Sequence, residues 1–155
     1  MQDIGSLDMM ATQHVALARL YASHQEALVT RYWKQAASLL EEYSARLTRH
    51  IEIEESLLLP RCEAISVSIR WQSKVYRAEH QRIGQLLERN IHHLAQARQR
   101  GMTPAGLIGL LDEEKTLKHV LEHHHEREEK DLFTELRGRL PADIGEELKR
   151  ALAAA

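Results

Sequence analysis

The chain has 155 residues, 43% hydrophobic and 28% charged, values of an ordinary globular protein with one real core. Its formal net charge of −2 leaves no electrostatic footprint for nucleic acid or an anionic membrane. A lone cysteine, Cys62, excludes an intrachain disulfide and fits a reducing, cytoplasmic setting; the acidic N-terminus lacks a signal pattern, and no apolar run nears the ~18 residues that span a bilayer.

Good helix formers dominate, and the expected class is all-α. Apolar spacing predicts a first helix from about Ser6 to Leu28, with Leu7, Met10, His14, Leu17 and Tyr21 facing inward. A second helix runs from about Trp33 to Leu59 and is stopped by Pro60. Its inward stripe is Ala36, Leu39, Leu40, Tyr43, Leu47, His50, Glu54, Leu57 and Leu58. "ISVSI" at 65–69 reads as a loop entering a third helix, which starts near Ser68 and stops before Gly101. There Tyr76, His80, Ile83, Leu87 and Leu94 face inward. The fourth helix has Thr103 as N-cap and Pro104 at its first position, continues to about Arg137 and stops at Gly138. A short fifth helix follows Pro141, over about 142–153, with Asp143 and Glu146 spaced as a capping box. Four long amphipathic helices with short connections predict a single domain over 1–155. The expected architecture is an up-down-up-down antiparallel four-helix bundle over about 6–138, plus the short C-terminal helix.

Histidine is the compositional outlier, with ten copies. "HIEIEESLLLP" from His50 and "HHEREEKDLFTEL" from His124 both read His, three residues, then Glu-Glu. A lone His precedes Leu17 by one turn at His14, and Ile83 by one turn at His80. The chain thus reads as two helix pairs, each carrying one His and one His-x-x-x-Glu. In an antiparallel pair, residues equidistant from the bend share a height. The midpoint of 14 and 50 falls at the Tyr32–Trp33 bend. That of 80 and 124 falls in "RGMTP", and that of 54 and 80 in the 65–69 loop. These bends place His14, His50, Glu54, His80, His124 and Glu128 at one level, on inward stripes. His123 is the alternative to His124, since it also has Glu128 within reach, five residues on.

Buried ionisable groups are costly unless paired or bound to metal. Four imidazoles and two carboxylates suit two cations, each taking two imidazoles, with Glu54 and Glu128 bridging. Glu-x-x-His spacing of the ferritin-like kind does not fit, because here His comes first and the spacing is i, i+4. The remaining histidines read as peripheral. His24 is expected at the surface or partly buried, His92 and His93 solvated, and His119, His123 and His125 exposed or supporting the ligands. The acidic pairs at 41, 113, 128 and 146 read as solvated faces, Glu128 excepted. Cys62 reads as inert.

On His14, "HIEIE" at 50–54, "EH" at 79–80 and "HHERE" at 124–128, the sequence resembles the hemerythrin-like HHE cation-binding domains over about residues 7–137. The resemblance implies a bundle around a non-haem di-iron site. His14, His50, His80 and His124 would be terminal ligands, and Glu54 and Glu128 bridging carboxylates. It departs from oxygen-carrying hemerythrins, which place a further His where this chain has Tyr76. The implied cofactor is two iron ions with an oxo or hydroxo bridge, and the implied partner a small ligand such as O2 or NO. Nucleic acid and membrane are not expected as partners, and a homo-oligomer stays open. The functional expectation is sensing, storage or iron homeostasis. The alternatives are an iron–sulfur repair or iron-donor factor, a peroxide- or NO-reducing enzyme at the same centre, or a metal-free interaction bundle.

Overall fold

Apolar residues spaced three and four apart give each long segment one face to bury, and the computed structural model, which describes residues 5–65 and 70–154, is helical throughout. Helix α1 spans Ser6–Val29 and α2 spans Trp33–Ile53. They are joined by a tight turn in which Arg31 takes a positive φ of 65°. Helix α4 spans Ser73–Arg100 and α5 spans Pro104–Arg127. Thr103 caps α5 as expected, its hydroxyl accepting from the Gly106 N–H at 3.0 Å. Gly101 supplies the positive φ of 87° that ends α4.

Three sequence expectations need correction. Pro60 does not stop the second helix. The chain instead widens into a π-turn over Glu54–Leu58 and continues as α3, Leu59–Ala64, with Pro60 in the first turn of α3. A proline is tolerated there because its missing N–H is not called on. Likewise, α5 passes through a second π-turn, Glu128–Leu132, into a short α6, Phe133–Leu136. The last helix, α7, spans Ala142–Ala153 with Pro141 at the N-cap position and no side-chain cap. Asp143 therefore sits inside the first turn, and the capping box with Glu146 does not form. The third long helix starts at Ser73; the expected start at Ser68, and 66–69 of the "ISVSI" loop, lie outside the described residues.

Helix α1 packs on α2 and α5, α4 on α5 and α2, and α7 across α1 and α2. The apolar core divides into two clusters. One contains Leu17, Tyr21, Leu40, Tyr43, Leu47, Ile83, Leu87 and Leu117. The other contains Met10, Ile53, Leu58, Leu59, Tyr76, Leu132, Phe133 and, from α7, Leu148 and Leu152. Between them along the helices, each stripe carries one polar stretch. His14 lies between Met10 and Leu17, His50 and Glu54 flank Ile53, His80 lies between Tyr76 and Ile83, and His124 and Glu128 separate Leu121 from Leu132. The fold thus has a polar layer sandwiched between two apolar ones. Among the described residues no helix is long and apolar enough to cross a membrane.

Candidate metal centre

All six residues singled out by spacing meet in that layer. His14, His50, Glu54, His80, His124 and Glu128 are each at most 5% exposed. Helical spacing of i, i+4 sets His50 below Glu54 and His124 below Glu128. His50 Nε2 lies 2.7 Å from Glu54 Oε1, and His124 Nε2 lies 3.3 Å from Glu128 Oε1. Helices α1 and α4 bring the other two rings. His14 Nε2 is 3.2 Å from Glu128 Oε1 and 3.8 Å from Glu54 Oε1, and His80 Nε2 is 3.0 Å from Glu54 Oε2. The donors sort into two groups that share the carboxylates: His14, His50, Glu54 and Glu128, and His80, His124, Glu54 and Glu128. Within each group one ligand atom per residue lies within 4.8 Å of the others. His124 takes this place and His123 is exposed on the outer surface.

Each imidazole is oriented by a partner on its outer nitrogen. His14 Nδ1 donates to Glu129 at 3.3 Å, His50 Nδ1 to Gln13 at 2.8 Å, His80 Nδ1 to Glu55 at 2.9 Å, and His124 Nδ1 to Glu79 at 3.3 Å. These oxygens only accept, so Nδ1 carries the proton, and in a neutral ring Nε2 then offers a lone pair to the centre. Orienting acceptors of this kind accompany metal-bound imidazoles generally. Sequence reading passed over all four, although each one adjoins a predicted ligand. Gln13 precedes His14, Glu79 precedes His80, Glu55 follows Glu54 and Glu129 follows Glu128. The signal was adjacency: the neighbour of one ligand reaches the ring of another.

The fit to cations rests on unmet bonding. Both oxygens of Glu54, both oxygens of Glu128 and His80 Nε2 are buried and have no hydrogen-bond partner among the described residues. Native proteins rarely leave such atoms orphaned. Here the close N···O approaches do not run along hydrogen-bond directions, as expected of lone pairs aimed at a shared point. Electrostatics agrees. Burial alone would lower the pKa of His14, His80 and His124, but the neighbouring carboxylates outweigh it and raise them to about 10, 9 and 10. Burial and the Glu128 charge push Glu54 up, and the surrounding histidines more than reverse this, to about 2. Glu128 is likewise held well below the usual carboxylate range, because His124, His14 and His80 outweigh the effect of burial. The two buried carboxylates thus favour positive charge at His14, His80 and His124, the charge that cations would otherwise supply.

A π-turn follows each carboxylate. Leu59 N–H donates to Glu54 O and Phe133 N–H to Glu128 O, each across five residues. Such turns concentrate at functional sites. In the second, the Thr134 hydroxyl donates to Glu129 O at 3.2 Å. Pro60 holds the equivalent place in the first.

The hemerythrin HHE cation binding domain family matches residues 6–113. This chain belongs to that family. The match takes in His14, His50, Glu54 and His80 and ends before His124 and Glu128, whose place in the cluster is seen from the structure. No curated protein and no solved structure matches the chain. In this HHE domain the position of Tyr76 is fully packed in the second apolar cluster.

The other histidines divide differently from expectation. His92, His119 and His123 are exposed, and His93 is partly exposed and pairs with Glu113. His125 is mostly buried, its ring stacked on that of His14 at 3.8 Å, and burial pushes its pKa down to about 3. His24, expected at or near the surface, is fully buried; Nδ1 donates to Ala36 O at 2.7 Å and Nε2 lies 2.8 Å from Glu114 Oε2. Glu114, read as part of a solvated face, is its buried partner. His24 lies ten residues along α1 from His14, and its ion pair is with Glu114, outside both donor groups.

Proposed function

We propose that this domain holds two iron ions and binds a small ligand, O2, NO or a relative, for sensing, storage or iron homeostasis. In this reading the long helices form an up-down-up-down antiparallel four-helix bundle. His14 and His50 would hold one ion and His80 and His124 the other, with Glu54 and Glu128 common to both donor groups. The five orphaned donor atoms on Glu54, Glu128 and His80 are the observation that carries it. Imidazole and carboxylate donors suit iron among several metals. When bound, the iron pair supplies reversible ligation and electron transfer. The chain supplies the rest. Four Nδ1–H bonds fix the rings, and the two apolar clusters exclude bulk water.

A cavity of about 60 Å³ lies against His125, whose ring stacks on that of His14. Ala18, Tyr21, Tyr43, Lys118, Leu121 and Glu122 form the rest of its lining. Its size suits a diatomic ligand. Cys62 takes no part in this reading: it is buried, and burial pushes its thiol up to about 11. The test is anaerobic loading with ferrous iron, purified without a nickel column, followed by optical spectra on adding O2, NO or azide. A spectrum that changes with ligand and returns on its removal supports the reading. Iron that binds with no ligand response overturns it in favour of an iron-donor or iron–sulfur repair factor.

A further inference from the structure

The centre is nearly symmetric, and the break among the partners that orient its rings is informative. Exchanging the two halves of the chain swaps His14 with His80, His50 with His124 and Glu54 with Glu128. The orienting partners follow the same exchange: Glu129 on His14 matches Glu55 on His80, and Gln13 on His50 matches Glu79 on His124. Three of the four are carboxylates and one is an amide. The amide is held in place, since Gln13 Nε2 donates to Leu152 O of α7 while its oxygen accepts from His50. A carboxylate there would lose the first of these bonds.

We propose that the two metal positions are unequal because of this pair: the position of His80 and His124 takes the first cation, and Gln13 weakens the position of His14 and His50. The inference rests on the metal-binding reading above. A carboxylate accepting from Nδ1–H makes Nε2 a stronger donor and adds a negative charge near the ion; an amide does the first less and the second not at all. The His80–His124 side has two such charges, Glu55 and Glu79, against one, Glu129, on the other. Bond length does not separate the two sides, 2.9 and 3.3 Å on His80 and His124 against 3.3 and 2.8 Å on His14 and His50, so the difference lies in the chemistry of the acceptor. Arg127 and Arg77 approach the outer oxygens of Glu79 and Glu55 at 3.6 and 3.9 Å and offset part of those two charges, while each inner oxygen keeps its bond to the ring. Repulsion between two cations that share carboxylates then separates the binding steps.

The experiment is a zinc titration of metal-stripped protein carrying nitrogen-15 in its histidines, read ring by ring by NMR. Substoichiometric Zn²⁺ is expected to move His80 and His124 first, with His14 and His50 following at a Zn²⁺ level about 10- to 100-fold higher. Glu79→Gln is expected to erase most of that preference, and the exchange Gln13→Glu with Glu79→Gln to reverse it. Exposed His119 and His123 report adventitious zinc separately. Four rings that move together, or an order unchanged by the exchange, overturn the inference and leave metal binding standing. Rings that never respond overturn both.

Discussion

Two buried polar groups sit on the same helices and mean different things. In the central layer, four imidazoles meet two carboxylates and five of their atoms are orphaned. Further along α1, His24 meets Glu114, and Tyr21 donates to Asn90 at 3.0 Å, whose amide donates to Glu113 at 2.9 Å. Among the described residues, no atom of this second group is orphaned. Both ring nitrogens of His24 are used, Nδ1 on Ala36 O and Nε2 on Glu114 Oε2. The pair is closed on itself. Burial of a histidine therefore says little about metal; what distinguishes the centre is donors left without acceptors, all aimed inward.

The sharpest way to break this contrast is to remove a donor from each group. His50→Ala, His124→Ala or Glu54→Ala is expected to lower iron affinity by on the order of tenfold or more, measured as iron retained after dialysis. His24→Ala is expected to leave iron content unchanged and to cost about 3–5 kcal/mol of folding stability, because Glu114 keeps a buried charge without its partner. Denaturant unfolding checks it, and His24→Leu combined with Glu114→Leu should recover most of the loss. Equal iron loss in both groups would erase the distinction.

Acidity separates them next. In chelator-stripped protein, the raised pKa values of His14, His80 and His124 mean the folded state holds those protons more tightly than the unfolded one. That stabilisation is complete below about 6.5, the ordinary histidine value, and is lost as pH rises through about 9 to 10. The lowered pKa of Glu54 acts oppositely: its stabilisation is present above 4.5 and lost as pH falls toward about 2. Unfolding midpoints should form a plateau between those limits and decline on both sides, and His24→Leu with Glu114→Leu should keep that shape. At the small end, His92→Ala, on an exposed face, should change stability by no more than about 0.5 kcal/mol and iron not at all.

The six central residues were legible because three bends fixed one height and periodicity fixed the faces. His24 shows where that reasoning was misapplied. It continues the stripe of Leu17 and Tyr21 by three residues, which marks it as inward; distance from the centre was mistaken for exposure. Glu114 carries the same mark, four residues past Leu110 and three before Leu117. Gln13, Glu55, Glu79 and Glu129 lie just off the stripes, and only the packed helices show that each reaches a ring on another. The π-turns had no signal at all: after Glu54 the three adjacent leucines, Leu57, Leu58 and Leu59, satisfy a 3.6-residue repeat and a wider turn equally well.

Those widened turns also say which residues the chain can spare. A turn of this kind absorbs one residue more than an ordinary one while keeping the downstream helix on the same side. Deleting exposed Ser56 would therefore tighten the turn to a plain helix and leave Leu59 and Cys62 pointing where they do now. Deleting any residue between Trp33 and Leu47 would instead swing that earlier stretch by roughly 100° relative to His50. Length variation among related chains should gather at these two places and be rare elsewhere along the same rods.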